Sequence, residues 1–190
     1  MAITANSTWA AIKAKQMLDG SEHLKWTKSK YDAYDDDHLK KSLSELDDKN
    51  LRVVRSSGDT AAEIKRHSAD SIHSAEYFNP YQENAQMEPL NAVAKYDGEH
   101  LTLWAGSQSP TQATDYVASV TGISLDKITI HSMRSGGGLG RRYFYDFIAE
   151  AAYLAIQTKK MVKLLWIRED CIQHGRYHLA RCDNNTIALD

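Results

Sequence analysis

A glycine-rich run is the feature of this sequence with the clearest chemical potential. Residues 132–144 read SMRSGGGLGRRYF. The run itself comprises Gly136, Gly137, Gly138, Leu139 and Gly140. A strand-like segment, KITIH, precedes it and a long helical pattern follows it. In such a setting, loops without side chains bind phosphate through backbone N–H groups near a helix N-terminus. The run therefore predicts a loop that brings backbone donors close to an anion.

The run matches neither of the two common nucleotide-binding motifs. The third glycine spacing of G-x-G-x-x-G is absent, and no Gly-Lys-Ser/Thr of a P-loop follows. Arg141 and Arg142 stand in the predicted first helical turn, where cations oppose the helix dipole unless an anion lies nearby. The alternative is a glycine-rich strand-to-helix turn with solvated arginines, and the local sequence leaves both interpretations open.

The other chemically suggestive residues are isolated. Glu88 precedes a proline at the mouth of a predicted hairpin, where its carboxylate either faces a ligand or is an exposed acid in a turn. Three histidines, His131, His174 and His178, do not have the spacing of metal ligands. His174 and His178 are four residues apart and would share one face only in a helix, which Gly175 and the flanking strand pattern argue against. We therefore assign no metal-ligating residue to this chain.

Composition restricts the functional classes. The 190 residues include 23 Lys and Arg against 25 Asp and Glu, so no overall charge directs the protein to nucleic acid or an anionic membrane. Cys171 and Cys182 lack C-x-x-C spacing and are interpreted as buried free thiols. No apolar stretch approaches the roughly 20 residues of a membrane span. The first residues lack the features of a signal peptide, which leaves the cytoplasm and the periplasm open as compartments.

Periodicity predicts the elements that must position these residues. Helices are predicted for a segment from Ser7 or Thr8 to Leu18, for about Asp37–Leu46, for TAAEIKRH, for SPTQATDYVASVTG and for RRYFYDFIAEAAYLAIQTKK. Strands are predicted for HLKWT, LRVVRSSGD, SIHSAEYF, KITIHSM, MVKLLWIR and YHLARCD. Asp97-Gly98 joins two alternating runs, NAVAKY and HLTLWA, into a hairpin.

The order of elements predicts an α/β (α+β) fold with a mixed β-sheet covered by helices. Helices alternate with strands, but the hairpin in the middle of the chain excludes a purely parallel sheet. The length fits one domain or two small ones. Polar residues between Tyr81 and Gln86 interrupt the pattern and mark a candidate boundary near residues 81–86.

Several motifs, in order and at matching spacing, resemble one enzyme family. They are MEPLNAV, AKYDGEHLTLWAGSQSPTQA, VASVTGIS, KITIHSMRSGGGLGRR and DFIAEAAYLAIQTKKMVKLLWIREDCIQHGRYHLA. Together they resemble the molybdopterin-binding large subunit of the xanthine dehydrogenase/aldehyde oxidase family. The most similar branch is the isoquinoline 1-oxidoreductase beta subunit with related bacterial aldehyde dehydrogenases. The resemblance runs from about Thr8 to about Ala180.

The resemblance implies a cofactor and a set of binding residues. Such enzymes are molybdenum hydroxylases, oxidoreductases that use a molybdopterin-bound molybdenum and water to hydroxylate N-heterocycles or aldehydes. It implies that the loop approaching the molybdenum end of the cofactor consists of Gly136, Gly137, Gly138, Leu139 and Gly140. It also implies that Glu88 lines the substrate pocket and that Lys163 stands where xanthine-type enzymes have a substrate-orienting Arg. Lys163 keeps the charge but not the bidentate fork.

The sequence departs from the family pattern in two side chains and in extent. Leu139 stands where the family usually has Phe, and Asn84 where the branch commonly has His. The family's later motifs, including the C-terminal one with the catalytic glutamate, do not occur in the 190 residues. The catalytic residue is therefore expected outside this chain, which acts as a fragment of the subunit. The chain alone is expected to lack the cofactor and activity, and to need the remainder of the large subunit and an iron–sulfur subunit. The alternative is a non-catalytic binding or assembly module that retains the fold.

Overall fold

The chain divides into two compact units. The computed structural model describes residues 1–19, 22–31, 34–45 and 52–189. Residues 1–17 and 83–178 form the first unit, and residues 18–82 and 179–190 form the second. In the described ranges no helix has the length and apolar character needed to cross a bilayer.

The second unit combines two short helices with a two-stranded ribbon. Helix α2 (Asp36–Ser44) begins behind Asp35, whose carboxylate accepts the His38 N–H at 2.9 Å. Acidic residues are favoured in this position because the free N–H groups and the helix dipole attract them. Helix α3 (Thr60–Arg66) is followed by β1 (Ile72–Asn79), which pairs antiparallel with β6 (Arg181–Ala188). The predicted α3 and β1 are thus confirmed, whereas the last strand, predicted in YHLARCD, overlaps β6 only at residues 181–183.

Two predicted strands do not form. Residues 23–27 and 52–59 have neither helix nor strand geometry. The remaining residue of the second predicted strand, Leu51, lies outside the described residues, and so does Leu46, the predicted end of α2. Trp26 and Val54 are largely exposed. A short alternating apolar run becomes a strand only when another strand satisfies its backbone groups, and sequence periodicity cannot supply that partner.

The first unit is built on a four-stranded mixed sheet with the order β4-β3-β2-β5. Strands β2 (Asn91–Tyr96) and β3 (Leu101–Ala105) form the predicted hairpin. Its turn is closed by Asp97, whose carboxylate accepts the N–H groups of Glu99 and His100. Helix α4 (Pro110–Thr121) connects β3 to the parallel β4 (Ile128–Ser132), and β5 (Val162–Leu165) pairs antiparallel with β2. The mixed sheet with covering helices is therefore confirmed.

Helices α4 and α5 cover one face of this sheet and enclose the core. The buried residues of α5 (Asp146–Thr158) are Phe147, Ile148, Ala149, Ala151, Ala152 and Ala155. They pack with Leu90, Ala92, Ala94, Leu101, Leu103 and Trp166. The amphipathic prediction is confirmed for the helix body. Its predicted start is wrong, because Arg141–Tyr143 form a separate 3₁₀ turn and the helix begins only at Asp146.

Two further helices lie outside the sheet and its covering layer. Helix α1 (Thr8–Leu18) begins behind Ser7, whose Oγ accepts the Ala10 N–H at 3.2 Å, so the predicted capping hydroxyl is confirmed. The glycine predicted to end α1 lies outside the described residues. Helix α6 (Arg168–Gln173) was not predicted, because its six residues are too few to show helical periodicity.

Candidate functional site

The connections that follow two parallel strands meet at one edge of the sheet. β3 ends at Ala105 and β4 at Ser132, so the segments after them leave the sheet side by side. Their approach is close, because a Cβ added to Gly106 would lie 2.6 Å from the Cβ of Ser135. The carboxyl ends of parallel strands are where open α/β sheets bind ligands. The topology thus places the glycine-rich run at this edge.

The glycine loop, residues 136–140, has a backbone that most side chains disfavour. Gly137 and Gly140 have φ values of +90° and +93°, and Leu139 has +49°. A residue with a Cβ pays an energetic cost in this left-handed region, whereas glycine enters it freely. Gly136 and Gly138 leave room for neighbouring side chains. A Cβ on Gly136 would lie 2.8 Å from the Cβ of Glu88, and one on Gly138 would lie 2.5 Å from Gln108 Oε1. The glycines are therefore required by the shape of the loop.

Three consecutive N–H groups of the loop have no acceptor in the part of the chain that the structure describes. The Gly136 N–H donates to Glu88 Oε2 at 2.6 Å, and the Gly140 N–H donates to Gln108 Oε1 at 3.1 Å. Between them, the N–H groups of residues 137–139 donate to no atom of the described residues. Two flanking side chains thus hold the ends of the loop and leave a row of free backbone donors.

Arg142 ties the glycine loop to the two neighbouring segments. Its side chain is 1% exposed. Nε donates to the Gly137 carbonyl at 2.9 Å, Nη1 to the Gly106 carbonyl at 3.3 Å, and Nη2 to the Glu88 carbonyl at 3.1 Å and to Glu88 Oε2 at 3.2 Å. The alternative of solvated arginines is therefore wrong for this residue, because its guanidinium holds the loop from inside.

Arg141 is also buried, but its partner lies at the start of α5. Nη1 and Nη2 donate to Asp146 Oδ1 and Oδ2, each at 3.0 Å, and the guanidinium lies over the ring of Trp166. Arg176 approaches the same carboxylate, with Nε 3.8 Å from Oδ2. Asp146 also accepts its neighbour's N–H in the first turn of α5. Both arginines thus neutralise internal carboxylates, and Arg141 Nε is buried without a partner among the described residues.

Glu88 faces the loop and Arg142. Its Oε1 accepts from Asn91 Nδ2 at 2.9 Å, and its Oε2 accepts from Gly136 N–H and from Arg142. Burial raises the pKa of the Glu88 carboxyl, but the hydrogen bonds from Gly136 and Asn91 and the charge of Arg142 outweigh it and leave the pKa below its usual value. The ionised carboxylate is thus part of the support of the glycine loop.

We expect Glu88 to contribute a pH-dependent part of the stability of this unit. A carboxyl whose pKa is lowered on folding stabilises the protein above its unfolded pKa, about 4.3, and loses that contribution as pH falls through the lowered value. Glu88→Gln should therefore be less stable than the unmodified chain at pH 7, and the difference should shrink toward pH 3. Urea unfolding at several pH values measures this. Glu99→Gln, at an exposed pair with Lys127, is the control, and an equal pH dependence of the two variants would contradict the prediction.

The second predicted pocket residue lies elsewhere on the sheet. Lys163 is in β5, where it pairs with Val93, and its side chain is exposed. None of the hydrogen bonds and ion pairs of the described residues joins it to Glu88 or to the glycine loop. The structure therefore brings Glu88 to the loop, whereas no described hydrogen bond or ion pair connects Lys163 with it.

Polar residues just before Glu88 also contact the loop. Asn84, 8% exposed, donates from Nδ2 to the Leu139 carbonyl, and the same nitrogen lies 3.2 Å from His178 Nε2. The oxygens of Glu83 and both amide atoms of Gln86 are buried without a partner among the described residues. Burial raises the pKa of the Glu83 carboxyl, more than the charge of Arg141 lowers it. The contacts of Asn84 and Gln108 with the loop were not predicted, because no local pattern shows that a distant side chain supports a loop.

The fold and the loop define an α/β ligand-binding domain whose donors lie at the ends of its parallel strands. Comparison with known families gives the particular class: the family model described as a molybdopterin cofactor-binding domain matches residues 44–183. The chain belongs to this molybdopterin cofactor-binding family. The resemblance inferred from the motifs is thereby confirmed.

Related proteins are subunits of oxidoreductases. The chain is 37% identical over 98 residues to the isoquinoline 1-oxidoreductase subunit beta of Brevundimonas diminuta. The aligned region covers 50% of this chain and 12% of that protein. It is 33% identical over 117 residues to the aldehyde oxidoreductase molybdenum-binding subunit PaoC of Escherichia coli K12. This second alignment covers 61% of this chain and 16% of that protein. The chain thus spans less than a fifth of the length of these relatives.

Solved structures share the fold. Quinoline 2-oxidoreductase from Pseudomonas putida 86 matches with a TM-score of 0.62 and 21% identity, over 70% of this chain and 17% of that one. Aldehyde oxidoreductase from Desulfovibrio gigas matches with a TM-score of 0.60 and 20% identity, over 70% of this chain and 15% of that one. At these identities the likeness supports the fold alone.

Proposed function

We propose that this chain supplies the glycine-loop wall of the cofactor site in a molybdenum hydroxylase. The observation that carries the proposal is the row of free N–H groups at residues 137–139, between two N–H groups that Glu88 and Gln108 hold. Backbone donors aimed at one place bind negatively charged oxygen or sulfur atoms without any rearrangement. Membership of the family makes the molybdopterin cofactor the expected ligand.

The residues of the loop fit such a group. The N–H groups of residues 137–139 are free to donate, and no side chain except that of Leu139, which is 65% exposed, projects from the loop. The bound cofactor would supply the redox chemistry that transfers a water-derived oxygen to an N-heterocycle or an aldehyde. The chain's own residues bind and orient: residues 137–139 donate, and Arg142 and Glu88 keep the donors in place.

The proposed reaction needs groups beyond those at the loop. Glu88 is already engaged by Gly136 and Arg142, and Lys163, opposite Val93 on β5, has no described hydrogen bond or ion pair to the loop. Neither predicted pocket residue is therefore available as a general base at the free donors. We propose that the isolated chain is inactive, and that the remainder of a large subunit and an iron–sulfur subunit complete the site.

A binding titration tests the proposed function. Molybdopterin cofactor released from a denatured, purified molybdenum hydroxylase is added in excess to the ¹⁵N-labelled chain, and amide shifts are recorded. We expect the largest shifts at residues 137–139. Gly138→Ala should weaken them, because its Cβ would lie 2.5 Å from Gln108 Oε1 and would displace the side chain that holds the Gly140 N–H. Thr129→Ala, exposed on β4, is the control. Shifts confined to other amides would contradict the proposal.

The alternative is a non-catalytic binding or assembly module. It is favoured by the commitment of Glu88 to the loop, because this carboxylate already accepts from Gly136 and Arg142. Metal analysis and an assay distinguish the two. We expect the purified chain to contain molybdenum well below one equivalent, and hydroxylase activity to appear on co-production with the remaining part of a relative's subunit. Cofactor binding without activity in that complex would favour the module, and full activity of the chain alone would contradict both.

A further inference from the structure

Asn84 holds the carbonyl side of the last peptide bond in the glycine loop, the bond between Leu139 and Gly140. Its Nδ2 donates to the Leu139 carbonyl, and the N–H on the other side of the same peptide bond donates to Gln108 Oε1. The approach is close, because a Cβ added to Gly140 would lie 3.3 Å from Asn84 Nδ2. Leu139 itself is held in the left-handed region, with a φ of +49°. Asn84 therefore helps to fix the orientation of a peptide plane next to the donors of residues 137–139.

The same amide nitrogen determines the state of a neighbouring histidine. Asn84 Nδ2 lies 3.2 Å from His178 Nε2. A carbonyl oxygen can only accept, so the atom of Asn84 that meets the Leu139 carbonyl must be Nδ2 and not Oδ1. Nδ2 in turn can only donate, so His178 Nε2 must be the acceptor, which requires a neutral ring with its proton on Nδ1. The contact of Asn84 with the loop thus selects the neutral form of His178.

We propose that Asn84 is a positioning residue of the glycine loop and that protonation of His178 releases its hold on the Leu139 carbonyl. A protonated ring carries a hydrogen on Nε2, which then faces the NH₂ group of Asn84 donor to donor. The acceptor of this side chain, Oδ1, is buried and has no partner among the described residues. A hydrogen bond from a cation to this oxygen is stronger than one between neutral groups. The carboxamide therefore turns over, and its nitrogen leaves the Leu139 carbonyl.

The hydrogen bond to Asn84 is the polar contact that ties His178 to this site. Histidine is the side chain that gains charge between pH 8 and pH 5, and His178 is exposed, so protons from solvent reach it. No described hydrogen bond or ion pair joins it to the ionisable groups on its own segment or on those that meet it here, namely Glu83, Arg141, Asp146, Arg168, His174 and Arg176. The contact between Asn84 and the loop should therefore be present at pH 8 and be lost as the pH falls through this range.

Three substitutions separate the titration of His178 from other effects of pH. His178→Gln keeps a side-chain acceptor for Asn84 but does not titrate. His174→Gln is the matched control, because His174 is an exposed histidine of the same segment whose ring packs edge-on against Trp166. Glu83→Gln removes another group beside Asn84 that gains a proton on acidification, since burial raises the pKa of the Glu83 carboxyl.

The ¹³C shift of the Leu139 carbonyl reports its hydrogen bond and is recorded through the Gly140 amide of the labelled chain without cofactor. From pH 8 to pH 5 we expect this shift to move upfield in the unmodified chain, with the same midpoint as the ring resonances of His178. His174→Gln and Glu83→Gln should respond in the same way, whereas His178→Gln should keep its pH 8 value. A Leu139 shift that does not follow the His178 ring would overturn the proposal, and so would a response in His178→Gln equal to that of the unmodified chain.

Cofactor binding gives a second readout, and this consequence rests on the proposed function. Titration with the released molybdopterin cofactor at pH 5.5 should show an affinity roughly two- to tenfold lower for the unmodified chain than for His178→Gln, the effect of one lost hydrogen bond. At pH 7.5 the two proteins should bind equally. Absence of shifts at residues 137–139 at both pH values would contradict the proposed function, while the Leu139 titration would still decide the role of Asn84 and His178. Equal affinities at pH 5.5 would overturn the control of binding by His178 and leave the proposed function standing.

Discussion

Replacement of Arg142 by methionine is expected to destabilise the first unit by about 3–5 kcal/mol. The guanidinium is 1% exposed and donates four hydrogen bonds to three separate segments. Methionine has a similar volume but no donor, so the substitution leaves buried carbonyls and the Glu88 carboxylate without their partner. Unpaired buried acceptors cost far more than the net value of the bonds they lose.

Hydrogen exchange of amides in β2 and β3 measures this effect within the first unit alone, since exchange reports the free energy of local opening. Arg134→Met is the control, because Arg134 is exposed in the same connection and should change the stability by less than about 0.5 kcal/mol. Arg142→Lys, which keeps the charge but loses the planar fork, should fall between the two. Equal stability of Arg142→Met and Arg134→Met would show that Arg142 does not hold the loop.

Asp146→Ala is expected to have an effect of similar size, about 3–5 kcal/mol. The carboxylate accepts two hydrogen bonds from Arg141, whose side chain is 0% exposed, and one from the Phe147 N–H. Its removal leaves a buried guanidinium without its counter-charge beside the ring of Trp166. The effect should reach the glycine loop, because Arg141 directly follows Gly140 in the chain.

A double variant distinguishes the buried charge from the helix start. Arg141→Met combined with Asp146→Ala should recover part of the stability lost in Asp146→Ala, because no unpaired charge then remains buried. Asp115→Ala, at an exposed position of α4, is the control and should have little effect. The same exchange measurement serves for all four proteins. If the double variant were less stable than Asp146→Ala, the loss would arise from something other than the stranded guanidinium.

Local chemistry made some elements predictable. The hairpin at Asp97-Gly98 formed as expected, because Asp97 accepts two N–H groups of its own turn and Gly98 enters a φ of +104°. Helix α4 begins at Pro110 and ends at Gly122, whose φ is +73°. Each of these features depends on residues a few positions apart. Sequence periodicity and turn chemistry describe such short-range interactions well.

Long-range support of the site could not be predicted in the same way. Arg142 contacts Glu88 across 54 positions, Gln108 contacts Gly140 across 32, and Asn84 contacts Leu139 across 55. Before folding, nothing in the sequence distinguishes a solvated arginine from one that holds three segments together. For the same reason Lys163 and Glu88, paired as pocket residues by resemblance, lie at different places in the structure.

By itself the sequence determined the family, the mixed sheet covered by helices, and the position of a loop without side chains between β4 and α5. These features depend on residue order, periodicity and the conformational freedom of glycine. Only the tertiary structure decided which backbone donors of that loop remain free and which side chains hold it. Hydrogen-bond acceptors are assigned when distant segments pack. Packing at the ends of β3 and β4 assigned Glu88 and Gln108 to the N–H groups of residues 136 and 140, and left those of residues 137–139 without an acceptor among the described residues.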